Sequence, residues 1–253
     1  MNCLFLRAFT LLLSTLICTA VSYASDFRIA AASSLQFALR EVVDEYTSQT
    51  GKTPALIFGS SGNLYRQIQQ GAPFDVFFSA RSELVHWLFD SGSSSSAGDR
   101  FGIGRLVLLS GNQLDKSDSL EQQAKSIVAS EQNKLAIANP VHAPYGRAAK
   151  QALESLDLWH QIKSHLVYGE QVSQATRFVV SGSVSYGLTS LSLALSPTVS
   201  AASQYYPVDE SLYDPIELQM VMLGAADSDA YEFYQFVLHS DSVDNIFKRY
   251  GIR

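Results

Sequence analysis

A chain of 253 residues can bury one large core or two smaller ones, and 47% hydrophobic with 17% charged residues is the balance of a folded protein, not a disordered one. The formal charge of −6, with no Lys/Arg cluster, excludes a basic nucleic-acid footprint. An anionic ligand would also meet net repulsion, so local donors would have to hold it.

The N-terminus reads separately from the rest. Arg7 precedes an apolar run, Ala8–Ala20, broken only by Thr and Ser, and Ser22-Tyr23-Ala24 places small residues at the −3 and −1 positions of a cleavage site before Ser25. This predicts a secretory signal peptide over residues 1–24 and a periplasmic mature protein. The run falls short of the roughly 20 residues that span a bilayer, and Ile17 is too large to precede a lipobox cysteine at Cys18. Both cysteines, Cys3 and Cys18, lie in this segment, so processing would leave no thiol for a disulfide, a metal site or a nucleophile. Loss of Arg7 would take the charge from −6 to −7. No later stretch is long and apolar enough to span a membrane.

Phe27–Ala32 predicts a strand, followed from Ser33-Ser34 by an amphipathic helix carrying Leu35, Phe37, Ala38, Val42, Val43 and Tyr46 at spacings of three and four. The plan repeats: Thr53–Phe58 is strand-like, Gly59-Ser60-Ser61-Gly62 turns the chain, and Leu64 and Ile68 continue helically. Phe74–Phe78 and Glu83–Asp90 make a third strand and helix. Gly92–Gly98 is a low-complexity surface loop. Leu106–Ser110 and Leu135–Pro140 read as buried strands, the second leading through Ala143-Pro144-Tyr145-Gly146 into a helix over 147–156. Val167-Tyr168 leads through Gln171-Val172-Ser173 to a helix over 174–180. Ser185–Thr189 is a strand, Val199–Val208 is extended, Ile216–Leu223 is a strand, and helices over 228–238 and 242–250 close the chain. This alternation predicts an α/β fold of two lobes, each a mostly parallel sheet flanked by helices.

Four places share one design, with small or hydroxyl residues opening a helix after a strand: Ser33-Ser34, Ser60-Ser61-Gly62, Pro144-Tyr145-Gly146 and Gln171-Val172-Ser173. A helix start leaves backbone N–H groups unpaired and carries roughly half an elementary positive charge. Several starts aimed at one point make an anion site without lysine or arginine, and in open α/β sheets ligands sit beyond the carboxyl ends of the strands, where these turns lie. One serine at a helix start is an ordinary cap. Four starts, two with paired serines, indicate a shared site but do not name its ligand.

Catalytic signals are weaker. Ser183-Val184-Ser185-Tyr186-Gly187 lacks the leading glycine of a nucleophile elbow. The histidines His86, His142, His160, His165 and His239 are scattered and suit surface or capping roles, apart from His142, which sits in the loop before Tyr145. An exported hydrolase built on Ser185 is therefore the weakest reading, and no catalytic residue is predicted. Tyr205-Tyr206 could offer two phenolates to ferric iron or straddle a strand with one ring buried and one exposed.

Ala31-Ala32-Ser33-Ser34-Leu35, Phe58-Gly59-Ser60-Ser61-Gly62-Asn63-Leu64, Gln67-Ile68 with Gly71–Ala80, Asn139-Pro140 with Pro144–Ala149, and the closing Ile246–Gly251 resemble the periplasmic molybdate-binding proteins of ABC transporters. The resemblance runs in order from about residue 27 to the C-terminus and is most specific in the N-terminal third. It implies a type II periplasmic-binding-protein fold with the ligand in the interlobe cleft, lobe 1 formed by residues 25–105 and 208–253 and lobe 2 by 106–207. It implies no catalysis and no cofactor. It implies molybdate or tungstate as the ligand, with molybdenum entering only as its oxyanion. It also implies the permease subunits of an ABC importer as partners and a monomeric chain. Carried over by position, Ser34 and Ser61 each give a hydroxyl and an N–H, Tyr145 and Val172 give N–H groups, and Ser33 could add a donor. Many members carry an anion-reaching tyrosine about 18 residues after the valine. Here that position is Ser190, too short to substitute, while Tyr145 fits the variant in which the Pro-Tyr-Gly tyrosine serves. A sulfate-type or other oxyanion binder is the alternative, with a ferric-iron carrier using Tyr205 and Tyr206 behind it.

Overall fold

Strands and helices mostly alternate along the described chain of the computed structural model, which comprises residues 27–111, 120–224 and 228–253. The predicted signal segment, with Cys3 and Cys18, lies outside the described residues. The first half runs β1 (Arg28–Ala32), a 3-10 turn (Ser33–Leu35), α1 (Gln36–Thr50), β2 (Ala55–Gly59), α2 (Ser61–Gln69), β3 (Val76–Ser79), α3 (Ser82–Asp90), β4 (Asp99–Gly104), β5 (Leu106–Ser110) and α4 (Leu120–Val128). Then follow β6 (Leu135–Ala138), α5 (Pro144–Ser155), α6 (Trp159–Ile162), β7 (Leu166–Gly169), α7 (Val172–Val180), β8 (Tyr186–Ser190), α8 (Leu191–Ala194), α9 (Pro197–Ser200), β9 (Gln204–Pro207), β10 (Ile216–Met222), α10 (Ser228–His239) and α11 (Asp241–Arg249).

The strands form two five-stranded sheets, ordered β2-β1-β3-β10-β4 and β7-β6-β8-β5-β9. In the first sheet β1 pairs in parallel with β2 and β3, while β10 pairs antiparallel with β3 and β4. In the second, β6 is parallel to β7 and β8, while β5 is antiparallel to β8 and β9. Four of the five strands in each sheet therefore share one direction, and a single strand is reversed. The reversed strands, β10 and β5, are the ones the chain enters after leaving the other lobe. Both lobes thus have one topology, related by an approximate two-fold exchange.

Central strands are apolar on both faces, as a sheet covered by helices on two sides requires. Along β1, Ile29 and Ala31 join the large interlobe core while Ala30 faces a second cluster with Phe77, Leu84, Leu88 and Val221. In the second sheet, Leu106 and Leu108 join the same large core, and Val107 and Leu109 pack beneath α8 with Leu191 and Val199. One apolar core thus runs through both lobes. It brings the carboxyl ends of β1 and β2 opposite those of β6 and β7.

Three local readings change. Val199–Val208 is not extended throughout: Ser196-Pro197 starts α9, in which Pro occupies the first helical turn and Val199 is buried, and only Gln204–Pro207 pairs as strand. His165 is a buried residue rather than a surface one, its Nδ1 lying 2.9 Å from the Asn133 carbonyl oxygen. β4 has no apolar alternation strong enough to announce it. Its sequence, Asp-Arg-Phe-Gly-Ile-Gly, forms a strand because β10 and the C-terminal residues cover it, with Ile103 and Arg253 exchanging backbone hydrogen bonds.

Candidate anion-binding site

The four turns singled out in the sequence come together. β1 ends at the Ser33–Leu35 turn and β2 ends at α2 in one lobe, while β6 ends at α5 and β7 at α7 in the other. Ser34 and Ser61 are separated by the same interval as Tyr145 and Val172, 27 residues in each case (34 to 61 and 145 to 172), so the two-fold exchange of topology extends to the turns. Ser33, Ser34, Ser61, Tyr145 and Val172 line one small cavity, together with Ala32, Gly59, Ser60, Ala80, Ala143 and Pro144. None of these residues is charged.

Each helix start contributes an N–H that the protein leaves over. At α2, the Gly62 N–H goes to the His142 carbonyl, Asn63 N–H to the Ser60 hydroxyl and Leu64 N–H to the Ser60 carbonyl, which leaves Ser61. At α7, the Ser173 N–H goes to the Ser33 hydroxyl across the cleft at 3.4 Å, and Gln174 and Ala175 donate to the Gln171 carbonyl, which leaves Val172. At α5, Pro144 has no N–H and Arg147 donates to the Ala143 carbonyl, which leaves Tyr145 and Gly146. At the turn after β1, Gln36 donates to the Ser33 carbonyl, so the Ser34 N–H remains. These donors stand at the positive ends of the helices, where an anion is favoured.

The side chains add to this field. The Ser61 hydroxyl, fully buried, accepts the Ala80 N–H at 3.0 Å, which leaves its own proton to donate. The Ser34 hydroxyl is buried with no hydrogen-bond partner in the protein, an arrangement that costs free energy unless a ligand completes it. Burial pushes the Tyr145 phenol well above its ordinary pKa. The nearby Ser34 hydroxyl, outside hydrogen-bond geometry, works against that shift. Tyr145 therefore stays protonated at any physiological pH and cannot present a negative oxygen to an anion.

Ser190 is not in the cavity lining. It is fully buried, and its hydroxyl caps α8 by accepting the Leu193 N–H at 3.2 Å and lies 3.3 Å from the Ser192 hydroxyl. Ser192 in turn donates to the Ser34 carbonyl, so Ser190 braces the turn from behind. Ser60 was visible in the sequence only as a neighbour of Ser61. In the fold it lines the cavity and caps α2.

Gly104 is a second residue the motifs did not single out. A Cβ built there would stand 2.1 Å from the Tyr145 hydroxyl, so the phenol can lie over the junction between β4 and β5 only because that side chain is missing. Gly104→Ala is expected to displace the ring and cost about 1–3 kcal/mol of stability, the usual penalty of overpacking a core. Chemical denaturation of wild type and variant measures this directly.

A charged rim borders the neutral cavity. Arg147 of α5 reaches Glu83 of α3 at 3.3 Å across the cleft and Asp214 at 3.8 Å, and Arg81 lies 3.5 Å from Glu83. Burial would raise the Glu83 carboxyl, but its own helix-start N–H and the two arginines outweigh burial and hold it below the usual range. This ion pair joins the lobes as they stand closed.

Tyr205 and Tyr206 lie on opposite faces of β9. Tyr205 packs into the cluster beneath α8 and Tyr206 against the interlobe core, both half-buried. Successive side chains on a strand point to opposite faces, so the two hydroxyls cannot close on one ion. Among the described residues no group of three His, Cys, Asp or Glu side chains is placed to hold a metal ion.

Two lobes of one topology, closed around a small cavity at the carboxyl ends of their strands, define a two-lobed ligand-binding protein. Residues 27–253 match the family model of the bacterial extracellular solute-binding proteins, and the chain belongs to that family. It is 32% identical over 231 residues to the molybdate-binding protein ModA of Azotobacter vinelandii, covering 90% of each chain. With the molybdate-binding protein ModA of Rhodobacter capsulatus it shares 30% identity over 215 residues, or 84% of this chain and 82% of the other. The solved structure of the Azotobacter vinelandii periplasmic molybdate-binding protein superimposes with a TM-score of 0.80 at 27% identity, over 90% of this chain and 98% of that one.

Proposed function

We propose that this protein is the periplasmic receptor for molybdate or tungstate, binding the anion between its lobes and delivering it to the permease of an ABC importer without transforming it. The observation that carries this reading is the donor set. Ser34, Ser61, Tyr145 and Val172 each offer an N–H left over by its own helix start, around a cavity lined by no charged residue. Ser34 and Ser61 add hydroxyl protons, that of Ser34 being buried without a protein partner.

A fully deprotonated tetrahedral dianion needs donors on every side and is repelled by a fixed acceptor. Phosphate at neutral pH keeps a proton and favours a site with a carboxylate acceptor, and no carboxylate lines this cavity. Sulfate carries the same charge as molybdate and differs from it in radius, so the spacing of the four starts has to separate them. The molybdate-binding relatives and the matching structure support the larger anion. A ferric-iron carrier using Tyr205 and Tyr206 has no comparable support, because their rings leave β9 on opposite faces.

Calorimetric titration of the ligand-free mature protein with molybdate, tungstate, sulfate and phosphate tests the assignment. Strong heat with the first two and little with the others is the expected result. Heat with sulfate and silence with molybdate would keep the anion site but overturn its ligand. Silence with all four would remove the oxyanion reading.

A further inference from the structure

We propose that His142 is the latch that holds the two lobes shut over the anion, a positioning residue that acts through Ser60 and Glu170. The inference deepens the oxyanion reading and rests on it. His142 precedes the start of α5, in lobe 2. Its backbone carbonyl accepts the Gly62 N–H at 3.0 Å, and its Nδ1 lies 3.0 Å from the Ser60 hydroxyl oxygen. Ser60 and Gly62 belong to lobe 1 and flank Ser61, so the histidine grips the start of α2 on both sides of a cavity serine. Its Nε2 lies 3.2 Å from a carboxylate oxygen of Glu170, two residues before Val172. One imidazole, its side chain only 12% exposed, thereby ties together three of the four helix starts that face the cavity.

The bonding pattern is self-consistent. The Ser60 hydroxyl accepts the Asn63 N–H as the cap of α2 and has its own proton to give to Nδ1. Nε2 then carries the hydrogen and donates it to Glu170. The tautomer fixed in this way gives the ring one bond to each lobe. None of these contacts between His142 and lobe 1 can survive separation of the lobes, and none involves the ligand itself. The latch therefore adds to the lifetime of the closed state without adding a contact to the anion.

Gly62 supplies an independent handle on the same contact. A Cβ at position 62 would stand 2.6 Å from the His142 carbonyl oxygen, so alanine there keeps the lobes from meeting. Within α2 alone, alanine is a better helix former than glycine, so loss of closure in Gly62→Ala would not reflect loss of the helix.

Wild type, His142→Ala, His142→Asn and Gly62→Ala are compared by titration with molybdate, stopped-flow measurement of its release, and small-angle scattering with and without molybdate. The alanine variant at 142 is expected to bind about tenfold more weakly, the worth of one or two hydrogen bonds, with the change in the release rate and little in the capture rate. Asparagine, whose side-chain amide can take the place of Nδ1, is expected to recover much of that loss, which a merely space-filling role for the ring would not produce. Gly62→Ala is expected to release the anion fastest and to scatter as a more open particle. Wild-type release rates and radii in both His142→Ala and Gly62→Ala would overturn the latch while leaving the oxyanion reading intact. If the wild type itself takes up no molybdate, that reading fails on its own, and scattering of the unliganded proteins decides the latch. A more compact wild type upholds it, and equal radii overturn it.

Discussion

Val172→Pro is expected to weaken molybdate binding by about 1.5–3 kcal/mol, roughly 10- to 150-fold in Kd, while folding stability stays near that of wild type. The substitution removes one atom of interest, the N–H that the start of α7 leaves unpaired. Proline is accepted at the first position of a helix, where its missing N–H breaks no intrahelical bond. The residue before a proline must be extended, and Gln171 already is, with φ −144° and ψ 162°. The bonds that hold the helix start are made by other groups: Gln174 and Ala175 donate to the Gln171 carbonyl, and the Val172 carbonyl accepts the Thr176 hydroxyl at 2.9 Å. Val172→Ala serves as the control, since it trims the buried side chain but keeps the N–H, and its affinity should stay close to that of wild type. Calorimetry and thermal melts of the three proteins separate the outcomes. Equal affinity in wild type and a well-folded Val172→Pro would mean that this N–H does not face the anion.

The site was readable in the sequence to the extent that it is local. A strand followed by Ser-Ser, Ser-Gly or Pro-Tyr-Gly marks a helix start whatever surrounds it, because capping and the fixed φ of proline act within one turn. Each of the four starts could therefore be placed from its own few residues. That they converge on one cavity depends on two sheets meeting, a tertiary matter. The elements that escaped were those with no local signature. β4, rich in glycine and charge, is a strand because β10 and the C-terminus cover it. Ser190 holds the tyrosine's place in the sequence, and that its hydroxyl caps α8 could be seen only in the fold. His142 could be marked as unusual from its place in the loop, but its grip on Ser60, 82 residues away, could not be read from spacing.

Two of the cavity serines, Ser34 and Ser61, should respond differently to the same change, and the difference tests whether the protein has prepared the site for a ligand. Ser34→Ala and Ser61→Ala are each expected to cost about 1–3 kcal/mol of binding by removing a donor to the anion. Their effects on the unliganded protein should diverge. The Ser61 oxygen accepts the N–H of Ala80, which is itself buried, so alanine at 61 strands that donor and should lower folding stability by a further 1–3 kcal/mol or so. The Ser34 hydroxyl has no partner in the protein, so its removal relieves a buried polar group and should leave the ligand-free protein as stable as before or more so. Denaturation without ligand and titration with molybdate give both quantities for each variant. A Ser34→Ala protein that loses affinity while keeping or gaining stability has given up a group held ready for the anion. If it instead loses stability and binds as before, Ser34 is a structural serine and the donor set must be redrawn around Ser61, Tyr145 and Val172.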